Sequence, residues 1–410
     1  MHVIISNIFQ KFLIKYYLGY ILILPFCVDI LYQHCNECNA TGFTRSPLAT
    51  IVTIVLISLI IASLKGRNIL KINLSLSNNL FLVISLSGLS NFIFMMMSSR
   101  LQYFSLLLFF ICMILILFPP SFDEVSSGLL FFIAVNSIFF LLSLFLFIFF
   151  GDLSSTPHHF RGYIGSFVNQ YFLRQRGIFS SPSSLGLSAG LFYILVSHLE
   201  PKKFTILKTT CLITALFLVF ISETRSVLLG LTISLFFVEL KLIINKLPVN
   251  KHNLVTLILC IIYFIQLGVS GFFEGAQARY QIWDQSAASQ KVIPSSVSEA
   301  DAIKAPHLFS HSHNFLLDIF DSENYIYRFL ALLIVPLLLF FLIRSWRRGL
   351  NISVSIILFL LVFSCFELGL RFDTLTMPMS FLFISVLVFK YPIFSVFHKP
   401  SSNFDDLRSH

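Results

Sequence analysis

The chain of 410 residues is 57% hydrophobic and 11% charged, and it carries a formal net charge of +9. Soluble domains are about 25% charged, so a water-soluble fold could not hide this many apolar side chains. The apolar residues form long continuous runs, whereas a membrane barrel would show alternating strands of about ten residues. The composition therefore predicts an all-α, polytopic helical membrane protein, with residues 1–410 forming one integral domain in a lipid bilayer.

Twelve apolar segments fit transmembrane helices, because about 20 residues cross a hydrocarbon core about 30 Å thick. The sixth segment is short, which predicts that it enters the membrane before residue 185 or is partly re-entrant. The segments lie at 12–31, 47–64, 80–98, 102–119, 128–150, 185–199, 204–222, 226–244, 253–272, 326–344, 351–369 and 376–396.

The positive residues are distributed unevenly between alternate breaks of this pattern. Cytoplasmic breaks of membrane proteins are enriched in Lys and Arg, so the richer set predicts the inner side and places both termini in the cytoplasm. Because the basic residues are scattered among the spans, no nucleic-acid partner is predicted. The inner set holds twelve cations: Lys65, Arg67, Lys71, Lys202, Lys203, Lys208, Lys241, Lys246, Lys251, Arg344, Arg347 and Arg348. The short outer breaks hold four: Arg45, Arg100, Arg225 and Arg371.

The first outer break contains two cysteines, Cys35 and Cys38, with His34 in front of them. Haem attachment needs the His after the second Cys, and one Cys pair with one His is short of a zinc set. The pair is either a local disulfide, if the break faces an oxidising compartment, or two free thiols. No metal site and no cofactor are predicted.

Two outer breaks are long, 151–184 and 273–325. Positive residues on the outer side oppose the topology rule, which suggests that they are placed there for a ligand. These breaks carry Arg161, Arg174, Arg176, Arg279, Lys291 and Lys304.

The first long break ends in an arginine segment that leads into the sixth span. Arg174 and Arg176 precede Gly177 and Pro182. A turn that enters a helix presents backbone N–H groups to an anion, and the arginine fork matches phosphate oxygens. The alternative is that these arginines only anchor the helix at the membrane interface.

A second arginine lies in the short break Ser222-Glu223-Thr224-Arg225-Ser226. Arg225 must lie close to the apolar region, which makes it a candidate functional residue. The alternative is that Glu223 is its ion partner and the pair is structural.

The second long break begins with Arg279 and Trp283, four residues apart. In an interfacial helix these two side chains share a face, so Arg279 could bind a phosphate while Trp283 stacks on a sugar. An ordinary aromatic-belt helix is the alternative.

The same break ends with Ser310-His311-Ser312-His313-Asn314. Histidine suits proton transfer near neutral pH, and Asn314 could orient a substrate. Two histidines at i and i+2 do not face each other on a helix, so a metal pair is weakly supported, and packing at the interface is the plain alternative.

Together the four segments describe an outward-facing basic pocket with a histidine. Such a pocket suits a lipid diphosphate, because arginines neutralise the leaving group and a base takes a proton from an acceptor hydroxyl.

Two arginine segments also have the spacing of motifs in one known family. Arg174-x-x-Gly177 with Phe179 and Pro182 resembles the first arginine motif of that family. Residues 224–226 resemble its Ser-Arg-Gly turn, with Thr in place of Ser and Ser in place of Gly.

Two later segments follow in the same order. Arg279 with Trp283 resembles the Arg-x-x-x-Trp segment at the start of the large periplasmic loop. The pair 313–314, then nine residues, then Asn324 and Tyr327, resembles the His-Asn signature, with Asn in place of Gly. Asn tolerates positive φ better than most residues, so the turn is expected to survive. The chain thus resembles the O-antigen ligase and O-antigen polymerase superfamily of bacterial envelope glycosyltransferases.

The resemblance implies glycan transfer from an undecaprenyl-diphosphate-linked donor at the periplasmic face of the bacterial inner membrane, without nucleotide sugar, metal or cofactor. By matched position, Arg174, Arg225 and Arg279 would hold the diphosphate and His313 would activate the acceptor hydroxyl. The residues themselves add four neighbours to this set: Arg176, Trp283, His311 and Asn314.

The recognisable histidine segment favours an O-antigen ligase, whose acceptor is lipid A-core. The alternative is an O-antigen polymerase, which joins one lipid-linked glycan to a second. A polysaccharide transporter or flippase is the rival of another class. It is disfavoured because transporters bury ionisable residues at mid-membrane, and such residues are few here.

Overall fold

A computed structural model of the chain describes residues 2–32, 47–64, 75–97, 103–149, 177–179, 181–199, 205–222, 224–265, 319, 324–366, 372 and 375–391. These residues form helices and their connections, and no β-strand is among them. The described helices are α1 His2–Tyr32, α2 Pro47–Leu64, α3 Leu76–Met97, α4 Tyr103–Leu117, α5 Phe122–Phe149, α6 Pro182–Ser197, α7 Thr205–Ser222, α8 Arg225–Ile244, α9 Lys251–Ile265, α10 Tyr325–Arg347, α11 Asn351–Ser364 and α12 Met377–Lys390.

Each of these helices overlaps one of the apolar segments predicted from the sequence. Among the described residues, five helices are at least 18 residues long and apolar enough to cross a membrane, and six shorter apolar helices have 10–17 residues. The prediction of an all-α helical membrane protein is confirmed. α6 begins at Pro182, ahead of the predicted 185, in agreement with the early start expected for the short sixth segment.

The core of the bundle consists of α6, α11, α12 and the middle of α1, whose side chains are almost all buried. α1 packs against α2, α5 and α12, α6 packs against α7 and α8, and α11 packs against α8, α10 and α12. α10 in turn packs against α3, which packs against α4. The helices around this core expose large apolar side chains, such as Phe329 of α10 and Ile138 of α5, as lipid-facing helices do.

A three-helix crossing in the core is built around Phe359 of α11. A Cβ atom at Gly190 of α6 would lie 3.0 Å from the Phe359 ring, and one at Gly230 of α8 would lie 3.3 Å from it. Helices in a membrane associate through van der Waals packing, and small residues allow their backbones to approach closely. The two glycines therefore allow α6 and α8 to pack directly on the same aromatic ring.

The same device recurs where α1 crosses α5 and where α3 crosses α4. A Cβ atom at Gly128 of α5 would lie 2.9 Å from Leu18 Cβ, and one at Gly19 would lie 2.5 Å from the Phe131 ring. At Gly88 of α3 it would lie 2.8 Å from the carbonyl oxygen of Ser105 in α4. At each of these crossings the two helices can approach so closely because the glycine has no side chain.

Buried serines fix how the core helices run past one another. The Ser353 hydroxyl donates to the Ser385 carbonyl at 2.9 Å, and the Ser385 hydroxyl donates back at 3.4 Å. Because Ser353 is near the start of α11 and Ser385 is in the later half of α12, the two helices are antiparallel. The end of α11 and the start of α12 therefore share one end of the bundle.

The starts of α4, α6, α8 and α10 lie at this same end. Gly230, in the first half of α8, meets Phe359 in the second half of α11, and Gly186, in the first half of α6, meets Ser222 and Thr224 just before α8. The Leu375 N–H donates to the Phe104 carbonyl at 3.2 Å, which brings the start of α4. The Ser90 hydroxyl donates to Asn324 Oδ1 at 3.3 Å, which brings the start of α10. We call this end the Arg225 end, after the residue that begins α8.

The opposite end holds most of the described cations, and we call it the basic end. Its described cations include Lys208, Lys241, Lys246, Lys251, Arg344, Arg347, Arg348 and Lys390, whereas Arg225 and Arg328 lie at the Arg225 end. The charge asymmetry inferred from the sequence is therefore present in the folded bundle.

A buried polar network joins α6, α7, α8 and α9 at the basic end. Glu239 of α8 is 3% exposed, and its carboxylate accepts hydrogen bonds from Asn253 Nδ2 at 2.7 Å and from the Asn250 N–H at 3.1 Å. Asn250 Nδ2 donates to the Ser197 carbonyl at 2.9 Å, and Lys208 Nζ donates to the same oxygen at 3.0 Å. The orphan carbonyl at the end of α6 is thus satisfied by side chains from its neighbours.

His198, just after α6, is held beside this network in its neutral form. Its Nδ1–H donates to the Ile194 carbonyl at 2.8 Å, and its Nε2 is buried without a hydrogen-bond partner among the described residues. Burial lowers the pKa of His198 to about 4, the hydrogen bond to Ile194 opposes that shift, and the nearby charge of Lys208 adds to it.

This lowered pKa makes the stability of the bundle depend on pH. Between the ordinary value of 6.5 and about 4, the unfolded chain protonates His198 while the folded chain does not, so stability should fall as the pH falls through this window. His198→Asn, which retains a donor but does not titrate, should flatten the change in melting temperature of the detergent-solubilised protein between pH 6.5 and 4. An equal pH slope in the variant and the wild type would contradict this assignment.

Candidate functional site

Arg225, among the residues predicted to form the site, lies in the described part of the chain as the first residue of α8. It is half-buried, and the preceding Thr224 is extended, with φ −87° and ψ 100°. The Thr224 carbonyl accepts the first helical hydrogen bonds, from the N–H groups of Val227 at 3.0 Å and Leu228 at 3.2 Å. A cation at a helix N-terminus is opposed by the helix dipole, typically by 0.3–1 kcal/mol. The dipole therefore does not explain why an arginine is placed here.

The turn that carries Arg225 packs directly against the first half of α6. A Cβ atom at Gly186 would lie 2.4 Å from Ser222 Oγ and 3.2 Å from Thr224 Oγ1. The Ser222 hydroxyl donates to the Val219 carbonyl at 2.7 Å, which orients it at the end of α7. This contact brings the helix that follows the first arginine segment beside the second arginine segment.

The segment that leads into α6 is fixed by a glycine in the left-handed region. Gly177 has φ +57°, and a Cβ atom there would lie 2.5 Å from Ser143 Cβ. The next N–H, of Ile178, donates to Ser143 Oγ at 3.3 Å, and the ring of Phe179 stacks on Phe140 at 5.9 Å. Only glycine fits both the dihedral angle and the space.

The start of α6 is capped by its own sequence. The Ser181 side chain accepts the N–H of Ser184 at 3.1 Å, and Pro182 occupies the first turn, where its missing N–H costs nothing. Residues 177–179 and 181–182, which lead into α6, are therefore held by local contacts. Arg174 and Arg176, immediately before it, lie outside the described residues.

The histidine segment ends at the start of α10, where the structure corrects the expectation of a positive φ. Asn324 has φ −84° and ψ 95°, and its Oδ1 accepts the Tyr327 N–H at 3.1 Å. The residue is the N-cap of α10, a position for which Asn is among the preferred residues. The asparagine at this position is thus explained by helix capping.

Arg328, in the first turn of α10, is a candidate that the sequence reasoning missed. Its guanidinium lies 5.1 Å from the ring centroid of Tyr325, and its Nε is buried. Arg328 falls at the edge of an apolar run and was therefore counted as part of a span. The available signal was its position next to the outer break, where a cation opposes the charge rule.

Several hydroxyls at the Arg225 end are buried without a hydrogen-bond partner among the described residues. They are Ser226 Oγ in the first turn of α8, Ser364 Oγ at the end of α11 and Thr376 Oγ1 just before α12. Buried hydroxyls normally find a partner, so a group of them beside an arginine marks a polar surface inside the end of the bundle. Such a surface can donate to and accept from a polar ligand.

The remaining predicted site residues lie outside the described part of the chain: Arg174, Arg176, Arg279, Trp283, His311, His313 and Asn314. Of the long breaks 151–184 and 273–325, the structure describes 177–179, 181–184, 319 and 324–325, and Cys35 and Cys38 also lie outside it. The structure therefore brings the first half of α6 against the turn before Arg225, through Gly186. The start of α10 lies at the same end, with α11 packed against both α8 and α10.

Within the described residues there is no group of three His, Cys, Asp or Glu side chains that could hold a metal ion. Comparison of the chain with known protein families, with characterised proteins and with solved structures gives no match.

The contact at Gly186 predicts a specific pairwise coupling. Gly186→Ala should destabilise the protein by about 1–3 kcal/mol, because the new methyl group overlaps Ser222 Oγ in a packed interface. Adding Ser222→Ala removes that oxygen and should restore part of the loss, with a coupling of at least about 0.5 kcal/mol in a double-mutant cycle. Thermal unfolding in detergent measures the four proteins.

The matched control is Gly190→Ala, whose new methyl group meets Phe359 and Val227 instead. Ser222→Ala should not rescue it. Equal rescue of both glycine variants, or rescue of neither, would show that α6 does not pack on the Arg225 turn as described.

Proposed function

We propose that the chain is a membrane glycosyltransferase of the O-antigen ligase type. It transfers a glycan from an undecaprenyl-diphosphate-linked donor to an acceptor hydroxyl of lipid A-core at the periplasmic face of the bacterial inner membrane, without metal or cofactor. The alternative within this class is an O-antigen polymerase, whose acceptor is a second lipid-linked glycan. Both reactions use the same donor chemistry and the same residues.

The observation that carries the proposal is the packing of α6 against the turn before Arg225 through Gly186. α6 directly follows the segment that resembles the first arginine motif of one family, and the turn against which it packs belongs to the segment that resembles the second. The described cations otherwise concentrate at the opposite end, so a topology signal does not account for Arg225. The first turn of α8 also adds backbone N–H groups and the positive end of a helix dipole, which favour an anion.

In the proposed reaction the acceptor oxygen forms a bond to the anomeric carbon of the donor sugar, and the bond from that carbon to the diphosphate oxygen breaks. Arg174, Arg225 and Arg279 would neutralise the diphosphate as it leaves, with Arg176 and Trp283 beside them. His313 would take the proton of the acceptor hydroxyl, with His311 and Asn314 orienting the substrate. The hydroxyls of Ser226 and Ser364 offer further polar contacts at the same end.

A further part of the proposal is that all twelve helices cross the membrane, with both termini in the cytoplasm and the Arg225 end in the periplasm. The concentration of Lys and Arg at the basic end supports this orientation.

Reporter fusions test the orientation. Alkaline phosphatase, which is active only in the periplasm, should be active when fused at Ser298 and inactive when fused at Arg347. Activity at Arg347 would reverse the orientation and place the proposed site on the cytoplasmic face.

The transfer reaction itself is tested with purified protein, a lipid-linked glycan donor and a lipid acceptor. Arg225→Lys should reduce transfer well beyond twofold, because lysine keeps the charge but loses the two-pronged geometry. His313→Ala should reduce transfer by about 10² to 10⁴ while donor binding persists, since that is the usual contribution of a general base. Arg67→Lys, the same change in a break predicted to be cytoplasmic, is the matched control and should transfer normally.

Wild-type turnover by both Arg225→Lys and His313→Ala would remove the proposed mechanism. Deletion of the gene separates the two acceptors. Loss of all glycan-capped lipopolysaccharide indicates a ligase, whereas retention of a single repeat unit on the core indicates a polymerase.

A further inference from the structure

Three exposed arginines end α10 at the basic end. Arg344 lies over the ring of Phe340 at 5.5 Å, and Arg348 lies over the ring of Phe389 at 4.5 Å. The guanidinium of Arg347 makes no ring contact, hydrogen bond or ion pair with the described part of the chain. Like charges at one helix end repel one another, and an anion bound beside them would offset that repulsion.

Lys241, near the end of α8, joins this group. Its Nζ donates to the Trp346 carbonyl and lies 4.6 Å from the centroid of the Trp346 ring. This contact ties the last turns of α8 and α10 together. An ammonium group has three donors, so two remain for another acceptor.

The carboxylate on these helices does not neutralise the group. Glu239 is buried, and both of its oxygens accept hydrogen bonds from the neutral amides of Asn250 and Asn253. Glu124, at the start of α5, accepts the N–H of Ser121 at 2.7 Å. None of the four cations at the ends of α8 and α10 makes an ion pair with a carboxylate in the described part of the chain.

The surface next to these cations, toward the middle of both helices, is apolar and exposed. On α10, Phe340 is 48% exposed and Ile343 is 51% exposed. On α8, Phe237 is 45% exposed and Leu240 is 38% exposed. Cations bordering two exposed apolar helix faces match a phospholipid, whose phosphate lies at the membrane surface and whose acyl chains extend below it.

We propose that the last turns of α8 and α10 form a binding site for an anionic phospholipid. Arg344, Arg347 and Lys241 contact the headgroup phosphate, and Trp346 lies at the level of the headgroup. Topology alone does not require this arrangement. Lys246 and Lys251 are exposed cations at the same end, and in the described structure neither makes a ring contact or a side-chain hydrogen bond.

The site can be read out through Trp346, because the chain has only two tryptophans. In a Trp283→Phe background, fluorescence reports Trp346 alone, and phospholipids with brominated acyl chains quench it on contact. The full-length protein in bilayers should show stronger quenching by brominated phosphatidylglycerol than by brominated phosphatidylcholine. Each cation near an anionic headgroup contributes about fivefold in affinity, so Arg344→Gln with Arg347→Gln should reduce the preference roughly 25-fold.

The matched control is Lys246→Gln with Lys251→Gln, which removes the same charge from the same end and should keep the preference. Quenching by brominated phosphatidylcholine should be equal in all variants, which verifies that each is folded and inserted. An unchanged preference in the arginine variant, or an equal loss in the lysine control, would overturn the site. Competition by millimolar inorganic phosphate would show that the cations bind free phosphate instead.

Discussion

The packing of α6, α8 and α11 depends on how closely these three helices approach one another at Phe359. The Phe359 ring of α11 fills the space left free by the missing side chains at Gly190 of α6 and Gly230 of α8, so both helices pack on it. Because the membrane offers no hydrophobic driving force between helices, this tight packing is what holds them together. One turn earlier on α6, Gly186 meets Ser222 at the end of α7 and Thr224 just before α8, which places the start of α8.

The helices were predictable because each is an apolar run separated from the next by polar residues. The short sixth segment was also predictable, since a run of that length must begin earlier to contribute to the bundle. The expectation of a left-handed Asn324 was wrong, because a capping hydrogen bond to Tyr327 decides its conformation. Arg328 was missed because the mean hydropathy of a long apolar segment stays high when the segment contains a single cation.

The network at Glu239 could not have been predicted at all. Its hydrogen bonds join α8 to the turn and helix that follow, and through Asn250 they reach the end of α6, about fifty residues earlier in the sequence. Nothing in a local pattern marks a glutamate near the end of an apolar helix as buried among amides rather than exposed at the interface.

For the site, the sequence predicted that Arg225 lies near the end of a helix. Only the folded chain shows that Gly186 packs on Ser222 and Thr224, in the turn before it.

The helices differ in length in a way that shapes the membrane around them. At 1.5 Å per residue, α6 with its 16 residues is about 24 Å long, and α11 and α12 with 14 residues each are about 21 Å long. α5 with 28 residues is about 42 Å long, and it packs against the core helices α1 and α6. A helix shorter than the hydrocarbon core of about 30 Å either brings its polar ends below the membrane surface or draws the bilayer thinner around it, each at a modest energetic cost.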